Sequence, residues 1–155
     1  MRSKTCCFTG HRKIASGQYD MIAERLEKTV ENLIASGYCY FGAGGALGFD
    51  TMAAQTVLKL KKKHPHIRLI LVLPCPSQAE FWQEADKEIY ENIKSHADKV
   101  IYTSETYTRD CMFKRNRHLV DNSSVCICYL TEDKGGTAYT VNYAHKQQIQ
   151  VINIA

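Results

Sequence analysis

At its centre the chain reads RLILVL over residues 68–73, an almost continuously apolar run followed at once by Pro74. A strand that is apolar at successive positions, and not only at alternating ones, is typical of a parallel sheet with helices on both faces. The run therefore predicts a buried strand. The rest of the chain should supply the neighbouring strands and the helices that cover them.

Segments on both sides of this run alternate between strand-like and helix-like patterns. Short apolar runs predict strands at 5–8, 38–41, 68–73, 99–102, 125–130 and 151–154. Amphipathic stretches predict helices at 19–36, 50–63, 77–95, 110–121 and 137–147, the third of which begins with a capping box from Ser77 to Glu80. This alternation predicts one α/β domain over residues 1–155, with a doubly wound, mostly parallel, Rossmann-like sheet.

The composition is that of an ordinary globular domain of 155 residues, with 45% hydrophobic and 23% charged residues. No apolar run approaches the roughly 18–20 residues that a membrane span needs, and the residues that follow Met1 do not resemble a secretion signal. The net charge of +4 is too small to predict nucleic-acid binding by itself. We therefore expect a cytoplasmic protein with no membrane partner, and we do not favour a nucleic-acid partner.

The chain contains seven cysteines, an odd number, and no two of them are spaced as C-x-x-C. Zinc ribbons and redox dithiols use that spacing, so we predict no metal site. Several cysteines fall in strand-like runs, where a reduced thiol packs as a small apolar side chain. The sequence places no histidine beside a cysteine to activate it, so we do not expect a catalytic cysteine.

In an open parallel sheet, ligands bind beyond the carboxyl ends of the strands, so we expect binding residues in the loops that follow the strands. The first such loop contains Thr9, Gly10 and Arg12, which offer a hydroxyl, a tight turn and a bidentate phosphate donor. The same residues suit a polar turn with no ligand. The sequence leaves both interpretations open.

The second loop is rich in glycine over residues 42–50, between a predicted strand and a predicted helix. Gly44, Gly45 and Gly48 would let backbone N–H groups approach a phosphate. Leu47 stands where the dinucleotide fingerprint G-x-G-x-x-G requires glycine, so that fingerprint is absent. Asp50 is either the N-cap of the following helix or a partner for a ribose hydroxyl.

The third loop contains Gly135, Gly136 and Thr137, a second candidate anion site at a helix start, with Thr137 as a plain N-cap in the alternative. Arg115 and Asn116 lie in a basic predicted helix, which is either a solvated face or a source of phosphate contacts. Trp82 is interpreted as a core residue in preference to a base-stacking platform.

Four segments, 9–12, 44–50, 115–116 and 135–137, resemble in order and spacing the SLOG superfamily, which joins the DNA-processing protein DprA to the lonely-guy phosphoribohydrolases. The resemblance covers essentially the whole chain and is closest to the YpsA-like branch of small bacterial proteins. It implies glycine-rich loops that bind a nucleotide or a nucleotide-derived ligand. The predicted binding residues are Thr9, Gly10, Arg12, Gly44, Gly45, Gly48, Asp50, Arg115, Asn116, Gly135, Gly136 and Thr137.

The resemblance also suggests activities. The lonely-guy enzymes cleave nucleoside monophosphates with an arginine, which Arg115 matches, and a glutamate, whose position is occupied here by Thr140. Such hydrolysis would need Glu80 or Asp50 as a substitute carboxylate. The DprA proteins bind single-stranded DNA, which favours a basic groove with stacking aromatics.

The leading prediction is a sensing or regulatory protein that binds a nucleotide or a nucleotide-derived small molecule. Whether it is an enzyme is left open, with a glycosidic hydrolase or ribosyl transferase and a DNA-binding module as the alternatives. No cofactor is predicted. A homo-oligomer is compatible with the apolar residues of the basic helix, which are Met112, Phe113, Leu119 and Val120.

Overall fold

The computed structural model describes residues 1–155 as one six-stranded sheet with five α-helices. A short 3₁₀ turn, Arg2–Lys4, precedes the first strand. The elements are β1 (Thr5–Gly10), α1 (Tyr19–Ala35), β2 (Tyr40–Ala43), α2 (Phe49–Lys61), β3 (Arg68–Leu73), α3 (Glu84–His96), β4 (Lys99–Tyr102), α4 (Cys111–Asp121), β5 (Val125–Tyr129), α5 (Gly136–Lys146) and β6 (Gln150–Asn153).

The strands lie in the order β4-β3-β2-β1-β5-β6, and every neighbouring pair is parallel. The chain builds outward from β1 to β4 and then returns across the sheet to place β5 on the other side of β1. The predicted doubly wound, Rossmann-like architecture is therefore confirmed. The direction of winding reverses between β1 and β5, which is where a fold of this class opens a crevice.

Helices cover both faces of the sheet. The helices α1, α2 and α3 pack on one face and α4 and α5 on the other, as expected for right-handed crossovers. The larger core lies under the first three helices and includes Phe8, Phe41 and Phe49. The smaller core, under α4 and α5, includes Cys7, Leu119 and Val120. Leu119 and Val120 are thus used inside the monomer, which leaves Met112 and Phe113 nearer the surface.

The predicted bounds of β3 and β4 are those observed, whereas β2 begins two residues later than predicted. The cause is the end of α1, where the Gly37 N–H donates to the Ile34 carbonyl and the Tyr38 N–H donates to the Leu33 carbonyl, both at 3.0 Å. This pattern is a Schellman motif, which uses the backbone of Tyr38 to end the helix. The strand therefore begins only after Tyr38.

The predicted start of the third helix is wrong. The segment 77–83 forms turns in which the Glu80 N–H donates to the Ser77 carbonyl and the Trp82 N–H to the Ala79 carbonyl, both at 3.1 Å. These bonds join residues three apart, and Gln83 is extended, so α3 begins only at Glu84. Ser77 makes no capping bond to this helix, and the capping box suggested by the sequence does not form.

Two further features of the chain concern its helices and its cysteines. No helix is long and apolar enough to cross a membrane. All seven cysteines are free thiols, and every one of them except Cys39 is buried.

Candidate functional site

A cleft of about 330 Å³ opens at the carboxyl edge of the sheet, beside the ends of the neighbouring strands β1 and β5. Four parts of the chain meet there: the end of β1 with its loop, the start of α2, the first half of α4, and the loop that leads from β5 into α5. The lining residues are Thr9, Gly10, His11, Arg12, Ala46, Asp50, Met112, Arg115, Asn116, Glu132, Lys134, Gly135, Gly136 and Thr137.

The first wall is the end of β1, which continues two residues beyond the predicted strand. Thr9 and Gly10 pair with Cys128 and Tyr129 of β5, so they are strand residues and not loop residues. Gly10 packs directly against the ring of Phe49, where a methyl group would overlap the ring. Arg12 follows in the loop and is exposed, with its side chain free to reach a ligand.

His11 ties three of these segments together. Its backbone N–H donates to the Tyr129 carbonyl at 3.3 Å, and its carbonyl accepts from the Phe49 N–H at 3.1 Å. Its ring Nε2 accepts a hydrogen bond from the backbone N–H of Thr131 at 2.9 Å. The loop after β1 is thereby fixed both to the start of α2 and to the loop after β5.

Arg115 and Asp50 place opposite charges deep in the cleft, with side chains only 4% and 6% exposed. The Arg115 guanidinium donates to the Gly44 carbonyl oxygen and, through Nε, to Asn116 Oδ1 at 2.7 Å. The Asp50 carboxylate accepts from the Ala46 N–H at 3.2 Å. Asp50 is the second residue of α2, whose N-cap is Gly48, so the N-cap interpretation of Asp50 is wrong.

Burial raises the pKa of the Asp50 carboxyl, while the positive charge of Arg115, the Ala46 N–H bond and the charge of Arg12 oppose that rise. Burial lowers the pKa of the Arg115 guanidinium, and the negative charge of Asp50 opposes that change. Each group thus offsets part of the desolvation cost of the other. The pair forms a fixed polar floor for the cleft.

Two glycines of the second loop are explained by close approaches within the protein. A methyl group at Gly44 would lie 2.6 Å from Arg115 Nη1 and 2.9 Å from Asp50 Oδ2, so glycine makes room for the charged pair. Gly48 has a φ of +78° and lies against the backbone of Arg12, where a methyl group would overlap the carbonyl. Both positions therefore serve the assembly of the site.

The glycines of the third loop have a different environment. At Gly135 and Gly136 an added methyl group would meet no protein atom within 4 Å, although both residues line the cleft. Gly135 is the N-cap of α5, and no side chain caps this helix. The first N–H groups of α5 consequently have no partners within the helix. Thr137 is the second helical residue, so its interpretation as an N-cap is wrong.

Nine of the twelve predicted binding residues line the cleft, and Gly44, Gly45 and Gly48 do not. Glu80, named as a substitute carboxylate, also lies outside the lining. Thr140 is 1% exposed and donates its hydroxyl to the Gly136 carbonyl at 2.9 Å, inside α5. Trp82 packs against the larger core, as predicted.

Five lining residues were not predicted as binding residues: His11, Ala46, Met112, Glu132 and Lys134. Lys134 directly precedes Gly135 and could have been found from the loop pattern. His11 lies within the first motif, but its bonds to two other loops are visible only in three dimensions. Glu132 carries no sequence signal, because its place in the cleft depends on the path of the loop after β5.

The family model described as the YspA SLOG family matches residues 6–154. The SPbeta prophage-derived protein YoqJ of Bacillus subtilis is 33% identical over 138 residues, covering 81% of each chain. A UPF0398 protein of Halalkalibacterium halodurans is 35% identical over 132 residues, covering 83% of this chain and 70% of the relative.

Solved structures of DNA processing protein A share the fold. The protein from Helicobacter pylori, described for its single-stranded DNA binding mode, superposes with a TM-score of 0.67 at 19% identity. The Streptococcus pneumoniae protein has a TM-score of 0.69 at 17% identity. The match covers 95% and 96% of this chain but only 63% and 49% of those longer chains. These likenesses concern the fold.

Proposed function

Because the chain belongs to the YspA SLOG family, whose model matches nearly all of it, we propose that the cleft binds a nucleotide or a nucleotide-derived small molecule in a sensing or regulatory role. One observation carries the proposal. Arg12, Arg115 and Lys134 line the same cleft as the uncapped N-terminus of α5. Three cations and a set of free N–H groups are the donors that a phosphate requires.

The phosphate position follows from this arrangement. Backbone N–H groups at Gly136 and Thr137 bind the anion along the axis of α5, where the helix dipole favours negative charge. Arg12 and Lys134 are exposed and close on the phosphate from the rim. Arg115 is already engaged by Gly44 and Asn116, so it contributes fixed positive charge more than a new bond.

The sugar lies beside the carboxylates, between the buried Asp50 and the exposed Glu132. Asp50 and Glu132 line the cleft and accept hydrogen bonds from ribose hydroxyls. A cleft of about 330 Å³ is within the range of small-molecule sites, at its lower end. Its charged lining comprises the three cations and these two carboxylates, a nearly balanced set that suits one phosphorylated small molecule better than a long polyanion.

The second candidate is glycosidic hydrolysis of a nucleotide, and the observation that favours it is the presence of Glu132. The hydroxyl of Thr140, which occupies the position of the lonely-guy glutamate, bonds to the Gly136 carbonyl, and the carboxylates that line the cleft are Asp50 and Glu132. Release of free base from a nucleoside monophosphate, abolished by Glu132→Gln, would establish this activity. Absence of base release would exclude this reaction for the nucleotides tested.

The experiment is a calorimetric titration with nucleoside mono- and diphosphates, NAD and ADP-ribose, together with a short single-stranded DNA. Arg12→Ala removes an exposed cleft cation, while Lys13→Ala removes its exposed neighbour outside the cleft and serves as the matched control. We expect Arg12→Ala to weaken nucleotide binding about tenfold or more, the cost of one charge-assisted hydrogen bond. Lys13→Ala should leave binding unchanged.

Three results would overturn the proposal: no binding anywhere in the nucleotide panel, equal losses in the two variants, or tight binding of the DNA alone. If the protein binds DNA through many phosphate contacts, its affinity for DNA would also fall steeply as the salt concentration rises. A mononucleotide with one or two phosphates shows a much shallower dependence.

A further inference from the structure

We propose that Phe113 and Tyr139 form a stacking subsite for the nucleobase at the mouth of the cleft. This inference rests on the proposed function, since it names the part of the ligand that extends beyond the phosphate and ribose. It adds two residues that do not line the cleft itself, one from α4 and one from α5.

The two rings already form a built unit on the surface. Their centroids are 4.6 Å apart in an edge-to-face arrangement, and the side chains are 37% and 38% exposed. Arg117 donates from Nη1 to the Tyr139 hydroxyl at 2.9 Å, which fixes the tyrosine ring and places a cation beside the pair. The pair is thus held in place before any ligand arrives, which lowers the entropic cost of stacking.

The position of the pair connects it with the cleft. On α4, Phe113 directly follows the lining residue Met112. On α5, Tyr139 is three residues, less than one turn, after the lining residue Gly136. The aromatic contact therefore bridges the N-terminal halves of the two helices that supply Arg115 and the free N–H groups. A base attached through a ribose to a phosphate on α5 is within reach of this bridge.

The chemistry of the pair suits a base of any identity. Aromatic side chains stack on every nucleobase because each base has a π face, and a neighbouring guanidinium adds a cation–π contribution. Phe81 and Tyr107 are more exposed, at 92% and 64%, but neither is part of an aromatic pair. They provide the controls that an exposed aromatic surface needs.

The test compares ligands with and without a base. ADP, GDP, CDP and UDP are titrated against the full chain and its variants, with pyrophosphate and ribose 5-phosphate as base-free probes. Phe113→Ala and Tyr139→Ala should each lower nucleoside diphosphate affinity about tenfold and leave pyrophosphate affinity unchanged. Tyr139→Phe keeps the ring but loses the bond from Arg117, so its affinity should lie between those of the parent and Tyr139→Ala. The control Tyr107→Ala should bind like the parent.

Thermal midpoints measured for each variant verify that it is folded. If the alanine variants bind nucleoside diphosphates as well as the parent, or lose pyrophosphate binding to the same extent, the stacking subsite is wrong while the phosphate site stands. If the parent binds neither the nucleotides nor the base-free probes, the proposed function itself fails.

Discussion

Arg115 illustrates how one residue connects fold and site. Its guanidinium binds a backbone carbonyl of the glycine loop, Gly44, and its charge compensates a buried carboxylate, Asp50. Gly44 is glycine because these two side chains occupy the space that a larger residue would need. The charged side chain is therefore part of the packing of the cleft floor. Its removal should lower the stability of the protein as well as any affinity for a ligand.

We predict that Arg115→Met destabilises the protein by about 3 kcal/mol at pH 7, because it leaves Asp50 buried without its compensating charge. Burial already raises the pKa of Asp50, and loss of Arg115 raises it further. A carboxyl whose folded pKa exceeds its unfolded value binds protons more tightly in the native state, so stability falls as the pH rises between those two values. Urea unfolding should show a smaller loss at pH 5 than at pH 7.

The matched control is the double variant Arg115→Met with Asp50→Asn, which removes the buried charge altogether. It should recover much of the lost stability at pH 7 and show little difference between the two pH values. A loss in Arg115→Met that is equal at both pH values, and not relieved by Asp50→Asn, would show that the two charges are not coupled.

The residue types of the site were predictable from the sequence, but several of their roles were not. Glycines in a strand-to-helix loop indicate close backbone approach, and the sequence suggests a phosphate as the approaching group. At Gly44 and Gly48 the approaching group is the protein itself. At Gly136 no protein atom approaches. Sequence spacing cannot separate these cases, because the distinction depends on which distant segment, such as α4, packs over the loop.

At the scale of elements, the buried strand β3 was predictable because a strand that is apolar at successive positions is typical of a parallel sheet covered on both faces. The start of α3 was not. Ser77 and Glu80 have the spacing of a capping box, yet the segment that contains them forms turns. These turns bring Trp82 against Tyr90, with ring centroids 5.2 Å apart. Tertiary packing of the aromatic pair overrode the local signal.

A second contact between elements joins α2, β3 and β4 at the opposite end of the sheet. Asp98, just before β4, pairs with Lys61 at the end of α2 and accepts from the Leu69 N–H of β3 at 2.8 Å. Burial would raise the pKa of Asp98, but the hydrogen bonds from Lys61 and Leu69 outweigh it and hold that pKa below its ordinary value. The carboxylate therefore stabilises the joint when it is ionised.

We predict that Asp98→Asn costs about 0.5–1 kcal/mol at pH 7, the upper part of the range for a partly exposed ion pair. A lowered folded pKa gives stability that is present above the unfolded value, about 3.9, and is lost as the pH falls through the folded value. Urea midpoints of parent and variant should therefore begin to converge as the pH falls below about 4. Glu27→Gln, which removes the ion-pair partner of the 70% exposed Lys59, should show no measurable change. A pH-independent Asp98→Asn effect would argue against the ion pair.

At the scale of the whole molecule, the order of the strands is what assembles the site. Alternation of strands and helices predicted a parallel sheet, and a parallel sheet gathers all its carboxyl ends at one edge. The sequence did not show that β5 would return beside β1. That placement brings the loops after β1 and β5 together through His11 and Thr131, although they are separated by 120 positions in the chain. The long-range step has no local signature, since it depends on the direction of each crossover.

The same central strands make the cysteines a reporter of global unfolding. Cys6 and Cys7 of β1 and Cys126 and Cys128 of β5 are buried in the middle of the sheet. Burial raises the pKa of the Cys6 thiol, and burial raises that of Cys128 to about 11; a hydrogen bond with Cys7 together with burial raises the pKa of Cys126. These groups are shielded from solvent and are poor thiolates, so they should react only when the sheet opens.

A coloured aromatic disulfide reagent should therefore titrate one thiol quickly in the native protein and all seven in concentrated guanidinium chloride. The fast thiol should be Cys39, the only cysteine that is not fully buried, and Cys39→Ser should abolish the fast phase. The other six should react together, at a rate limited by global unfolding. A second fast thiol in Cys39→Ser would show that one part of the fold opens independently of the sheet. If that thiol were Cys75, the part would be the turn segment between β3 and α3, and the molecule would not unfold as one unit.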